Sequence, residues 1–238
     1  MAVQDTPQGL SSEHIRESAS GAMRDDGDIH ARVRDLTLRA LRSRRFDRRE
    51  IREVVRAMTE GITVGAGQGR ADLRQSLSAA FHGLDDALRK STEAGQKALR
   101  QLVATGKDFS EHELKQALAD MRKLEEDFLS TAEQVAAGAN ERVRPELREL
   151  LGKARRSGTS TGRQIAGTMS EFAQRASAAS IDVTLGGLEA ASEFSVRFAQ
   201  AAGGVLAGIA DGIAEQRTQQ PQEPAATGKP AEPASGIS

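Results

Sequence analysis

The placement of proline is the feature that most limits what this chain can fold into. Only Pro145 interrupts the long interval between Pro7 and Pro221, and a proline inside a helix costs about 3 kcal/mol or more. The chain also has no Trp or Tyr and is 3% aromatic, so it lacks the flat side chains that fill most mixed and all-β cores. We therefore predict an all-α fold: an elongated, coiled-coil-like bundle of about four or five long amphipathic helices with disordered termini.

Changes of composition along the chain predict four segments. Residues 1–26 are polar and acidic and are expected to be disordered, with a short helix near residues 13–23 as an alternative. Residues 27–66 are expected to form an arginine-rich helical pair. Residues 67–215 carry the long apolar stripes of a helix bundle. Residues 216–238 are rich in Pro, Gln and Ala, so they bury too little apolar surface to fold and should be disordered.

Two helix starts are predicted by the same local chemistry. Asp47 and Ser110 are residue types that cap helix N-termini, and a glutamate follows each of them three residues later, Glu50 and Glu113. In such a capping box the first side chain accepts a hydrogen bond from a helical N–H, and the glutamate reaches back to the N–H of the cap residue. Helices are therefore expected to begin directly after Asp47 and Ser110.

The helix after Asp47 carries one apolar stripe at helical spacing. Its members are Ile51, Val54, Val55, Met58 and Ile62. Three glycines follow at alternate positions, Gly65, Gly67 and Gly69. Because glycine weakens helices, we expect the helix to break there.

Two longer apolar stripes follow along the chain. The first spans residues 71–105, and the second begins after Ser110 and continues past Pro145. Since proline kinks or ends a helix, the second run should bend or divide near residues 138–140. The segment 152–162, which contains glycine, serine and threonine, is expected to be a turn between helices.

The sequence contains no residue constellation typical of an enzyme. It has no Cys, which removes thiol nucleophiles and zinc–thiolate sites, and its four His are scattered singly. His112 and Glu113 begin like a zinc-protease motif, but Gln116 stands where a second His would be needed. The glycines at 65–69 resemble a phosphate loop only in number, since no Lys-Ser or Lys-Thr pair follows. We predict a non-enzymatic protein without catalytic residues, metal or cofactor.

Arginine is concentrated in residues 31–60, where ten Arg accompany five Asp or Glu. The candidates for contact with an anionic surface are Arg39, Arg42, Arg44, Arg45, Arg48 and Arg49. Because acids interleave with these arginines, the favoured interpretation is a solvated or salt-bridged helix face. An anionic lipid surface is the second interpretation. Nucleic acid is the third and least favoured, since no aromatic residue alternates with the arginines for base stacking.

Three glycines near the C-terminus recur every four residues: Gly204, Gly208 and Gly212. This spacing places them along one side of a helix, where another helix of the protein or of its oligomer can approach closely. Contact with an apolar surface is an alternative. The stretch 198–214 contains Asp211 and is shorter than the ~20 apolar residues of a membrane span, so no transmembrane segment is expected.

The long helices rich in Ala, Leu, Glu and Lys, as at residues 84–102 and 114–135, accompany an absence of Cys and a Pro- and Ala-rich tail. Together these features resemble phasins, the amphipathic helical proteins that coat bacterial polyester storage granules. They are also similar in type to apolipoproteins. The resemblance covers roughly residues 70–215, and the arginine-rich segment departs from it.

The resemblance implies an interaction or coating protein whose amphipathic faces bind an apolar granule or lipid surface or associate with one another. We expect a homo-oligomer in the cytoplasm, with the surface of a granule or membrane as the alternative location. The absence of Cys is typical of that reducing compartment. Two other functions stay open: a purely structural, self-assembling coiled coil, and a protein that binds anions or nucleic acid through its arginine-rich segment.

Overall fold

The computed structural model describes residues 10–24, 27–44, 47–69, 72–105, 111–178, 198–208 and 211, with the backbone alone at residues 105, 111–115 and 175–178. This part of the chain is helical apart from short connections and contains no strand, which confirms the all-α prediction. Its seven helices are α1 (Ser12–Arg24), α2 (Ile29–Arg42), α3 (Arg48–Gln68), α4 (Leu73–Thr105), α5 (Glu111–Gly138), α6 (Arg144–Ser157) and α7 (Ser160–Ala178). Residues 198–208 are also helical. The helices are more numerous than the four or five expected, and several are short.

One cluster of buried apolar side chains runs from Ile15 in α1 to Leu206 near the C-terminus. It is continuous because α1 packs on α3 and α3 on α5, while α2 packs on α4 and also contacts α1 and α3. The cluster therefore contains residues from both sides of the predicted boundaries at 26 and 66. Residues 12–24 form α1, in which Ile15 and Ala19 are fully buried, and this is where the sequence allowed a short helix within the first 26 residues. Residues 1–9 and 216–238 lie outside the described residues.

Glycines of α3 make a close contact with α1. A Cβ atom at Gly61 would lie 2.7 Å from the Cβ of Ala19, and one at Gly65 would lie 2.7 Å from the Cβ of Met23. A glycine inside a helix costs about 1 kcal/mol relative to alanine, but here it allows two backbones to approach. Helix α3 continues past Gly65 to Gln68 and ends at Gly69, the last of the glycines predicted to break it.

The starts of α3 and α5 lie where the capping residues predict them. The Asp47 carboxylate accepts a hydrogen bond from the Glu50 N–H at 2.9 Å. The Glu50 carboxylate contacts Arg44 Nη1 at 3.0 Å, so it is directed toward that arginine. Helix α5 begins directly after Ser110, whose capping contact lies outside the described residues together with the side chain of Glu113.

The chain divides near Pro145, as its sequence predicts. Helix α5 ends at Gly138, and α6 begins at Arg144 with Pro145 in its first turn. Proline is tolerated there because the first N–H groups of a helix have no partner within it. In the connection, Asn140 Oδ1 accepts a hydrogen bond from the Val143 N–H at 2.9 Å.

Carboxylates from two other helices hold the N-terminus of α7. Asp85 of α4, which is 4% exposed, accepts hydrogen bonds from the Ser160 N–H (2.8 Å), the Thr161 N–H (3.0 Å) and the Thr161 hydroxyl (2.7 Å). Glu125 of α5 accepts from the Thr159 N–H (3.2 Å) and hydroxyl (2.7 Å). These N–H groups have no acceptor within α7, and the positive end of the helix favours negative charge. The contact joins α4, α5 and α7.

Candidate interaction surfaces

The described residues contain no group of three or more His, Cys, Asp or Glu placed to hold a metal ion. His14, His30 and His82 lie on three different helices, and the side chain of His112 is not described. No helix in the same part of the chain is long and apolar enough to cross a membrane. The chemically distinctive features of this surface are its arginines and the grooves between its helices.

Arg44 lies among polar groups of α3 and of the segment that leads into α1. Its Nη1 contacts Glu50 at 3.0 Å and Glu53 at 3.2 Å, and its Nη2 donates to the Leu10 carbonyl at 3.0 Å. The side chain is 13% exposed. This predicted anion-binding residue therefore connects two parts of the bundle.

Arg48 and Arg52 of α3 both contact Asp127 of α5. Arg48 Nη2 donates to one carboxylate oxygen at 2.9 Å, and Arg52 Nη2 donates to the other at 3.2 Å. Partial burial alone would raise the pKa of Asp127, but the hydrogen bonds from the two arginines outweigh it and hold that pKa below its ordinary value. The hydrogen bond between Arg48 and Asp127 also raises the pKa of Arg48. These arginines stabilise the contact between α3 and α5.

The remaining arginine candidates differ in their surroundings. Arg42 pairs with Asp211, whereas Arg45 lies outside the described residues. The Arg49 side chain is 86% exposed and makes a 3.5 Å pair within its own helix. Arg39 is exposed and has no acidic partner in the described part of the chain. Arg39 and Arg49 are the described candidates left most open to an external anion.

The glycine face near the C-terminus does not pack against another helix of the described chain. A Cβ atom at Gly204 or Gly208 would meet nothing within 4 Å, and Gly212 lies outside the described residues. Ala202 and Leu206 are fully buried, so they carry the contact with the core. Ala202 and Leu206, and not Gly204 or Gly208, make the contact with other described residues, since burial of larger apolar side chains gives more stabilisation than burial of glycine. Approach by a second molecule stays a prediction.

Among the described residues, neighbouring helices cover most members of the predicted apolar stripes. On α4 the buried members are Leu77, Phe81, Leu84, Leu88 and Leu99. Val64 is the one large apolar side chain of the described residues that is well exposed, at 48%. The amphipathic faces therefore form the interior of the bundle.

Grooves lie between several of the described helices. One of about 400 Å³ lies between α3 and α5 beside Val64, and one of about 540 Å³ lies between α4 and α6. In the latter, Arg74 forms ion pairs with Glu146 and Glu149. Because carboxylates of the protein already neutralise Arg74, this groove offers an external anion little gain.

A third groove, of about 470 Å³, lies between α5 and α7. Its apolar lining includes Leu118 and Met169, and its charged lining consists of Arg122, Lys123 and Glu126, all three exposed. The sequence shows the adjacent basic pair on a helix. It gives no sign that Met169 of a distant helix lies beside that pair, so the groove is evident only from the packing.

The fold and surface define the class of this protein: a helical bundle with an apolar interior, inter-helix ion pairs and, in its described part, no metal-binding cluster. The chain belongs to a family of unknown function (DUF6781), whose model matches residues 5–215. No curated protein and no solved structure matches it.

Proposed function

We propose that the protein is a non-enzymatic helical interaction protein that works mainly as a closed bundle, located in the cytoplasm. The observation that carries this proposal is the burial of the apolar stripes, with Val64 as the one well-exposed large apolar side chain among the described residues. Burial of apolar area contributes about 25 cal/mol per Å², and the helices obtain it from one another. Partners would then meet a largely polar exterior, and self-association would use that same exterior.

A phasin-like or apolipoprotein-like coat on an apolar granule or lipid surface is the second candidate, and it requires the bundle to open. Helix α4 has 33 residues, which corresponds to about 50 Å, and its apolar stripe would form one long face once its neighbours moved away. Part of its contact with α7 is polar: Arg100 Nε donates to Glu171 at 2.8 Å. Such groups exchange partners with water at small cost.

Binding of anions or nucleic acid through the arginine-rich segment has less support. Arg42, Arg44 and Arg48 each pair with a carboxylate of the protein. A polyanion would have to displace these partners, which would reduce the gain from each phosphate contact.

Flotation with apolar droplets separates the two leading functions. A closed bundle is expected to stay in the aqueous phase, whereas a coat should rise with the droplets and keep its helicity. Asp85→Asn, which weakens the attachment of α7, should increase flotation of a coat protein. The neighbouring change Asp86→Asn serves as the matched control. Flotation of the wild type with retained helicity would refute the closed bundle. Separately, a melting temperature that rises with protein concentration would support self-association.

A further inference from the structure

The groove between α5 and α7 has the dimensions of a small-ligand site. Its lining on α5 runs from Leu118 to Glu126, an interval of about 12 Å along a helix. Its volume of about 470 Å³ lies within the range of about 300 to 1,000 Å³ for small-molecule pockets. A stable protein interface needs about 800 Å² on each partner, which a groove lined by so few residues does not offer alone.

The lining of this groove is apolar below and cationic at its edge. Leu118 is buried and Met169 is half-buried, and the flexible thioether of methionine adapts to irregular apolar ligands. Arg122 and Lys123 are both exposed, and neither has an acidic partner within 4 Å in the described part of the chain. Glu126 is the one acidic residue in the lining. Two cations therefore face one carboxylate beside an apolar surface.

We propose that this groove binds a free, single-chain fatty acid anion of medium length. The carboxylate lies between Arg122 and Lys123, where charge-assisted hydrogen bonds are available. The alkyl chain lies over Leu118 and Met169, where it loses contact with water. An inorganic anion would leave the apolar lining uncovered, and an uncharged lipid would leave both cations without a partner, so a ligand with both properties fits best.

Isothermal titration calorimetry with sodium decanoate, kept below its micelle concentration, tests the site. The wild type is expected to bind one decanoate saturably. The double change Arg122→Gln and Lys123→Gln should weaken binding roughly three- to tenfold, since each exposed ion pair contributes up to about a factor of five. The matched control is the double change Arg142→Gln and Arg148→Gln, because these arginines are also exposed but do not line the groove.

A pair of changes at one position tests the sign of the charge. Ala119 lines the groove and is half-buried. Ala119→Glu would place a second carboxylate beside the ligand and should abolish detectable binding by like-charge repulsion. Ala119→Gln introduces a side chain of similar size without charge, so it should retain most of the decanoate binding. Circular dichroism of each variant checks that helicity is unchanged.

Several results would overturn the proposal. One is the absence of decanoate binding to the wild type, whether or not the protein binds vesicles of anionic lipid. Another is equal binding of decyltrimethylammonium, a cationic amphiphile with the same chain, because that would show adsorption on apolar surface alone. Unchanged affinity in the variant that lacks both Arg122 and Lys123 would have the same meaning. Weaker decanoate binding at higher salt, together with the loss in that variant, would support the proposed site.

Discussion

The Asp85 carboxylate gives the most direct test of how α7 is held in the bundle. In Asp85→Asn the side chain keeps its shape, but an NH2 group replaces one of the oxygens that accept from the Ser160 and Thr161 N–H groups at 2.8 and 3.0 Å. A buried donor without an acceptor costs about 1–3 kcal/mol, and the lost charge at the helix end adds about 1 kcal/mol. The free energy of unfolding should fall by about 2–4 kcal/mol, a large part of the ~5–15 kcal/mol typical of a whole protein.

The next residue supplies the control for this experiment. Asp86 contacts Arg89 within α4 at 2.8 Å, with side chains 23% and 33% exposed, so Asp86→Asn should cost no more than about 1 kcal/mol. Urea unfolding followed by circular dichroism measures both changes. With a denaturant dependence of about 1–3 kcal/mol per M, Asp85→Asn should lower the midpoint by about 0.7 M or more. Equal midpoints for the two variants would refute the anchoring role and assign the docking of α7 to apolar contacts.

Two further predictions concern packing and charge. Gly61→Ala should destabilise the protein by about 1–3 kcal/mol because its Cβ would lie 2.7 Å from that of Ala19. Gly167→Ala in α7, whose Cβ would meet nothing within 4 Å, should stabilise the protein by about 0.5–1 kcal/mol. Thermal melts measure the change in melting temperature of each variant, and a change in the same direction for both would contradict the packing. Asp127→Asn should cost about 1–2 kcal/mol at neutral pH. The arginines hold the pKa of Asp127 below its ordinary value. The loss of stability caused by Asp127→Asn should therefore have its full value above about pH 5 and should diminish as the pH falls below about 4 and the wild-type carboxylate is protonated. Urea unfolding across this pH range measures the difference in the free energy of unfolding between the two proteins. A difference that does not change with pH would exclude the ion pair as its source.

Local signals predicted the parts of the fold that depend on neighbouring residues. The start of α3 after Asp47 and the division of the chain beside Pro145 follow from capping chemistry and from the missing proline N–H. The all-α class follows from the scarcity of proline and aromatic residues. None of these inferences requires knowledge of which helices meet.

The remaining features depend on contacts between distant residues. Gly65 weakens a helix locally, and its role in the approach of α3 to α1 is evident only once Met23 is seen beside it. Likewise, Asp85 is one of several acids on α4, and its burial depends on the arrival of Thr161 from α7. The groove at Arg122 and Lys123 was not predictable for the same reason. Periodicity identifies an apolar face, but it does not identify the helix that covers it.

The choice between a closed bundle and a surface coat depends on the cost of detaching α7. Detachment would uncover the apolar side chains Leu99, Leu118 and Met121, which cluster with Phe172 of α7. An apolar droplet would cover these side chains again, so their burial contributes little to the difference between the two states. The contact of Asp85 with the N-terminus of α7 has no substitute on a droplet, and it therefore makes up much of the barrier to opening. This is why Asp85→Asn should promote flotation if the protein is a coat, and should lower stability without flotation if the bundle functions closed.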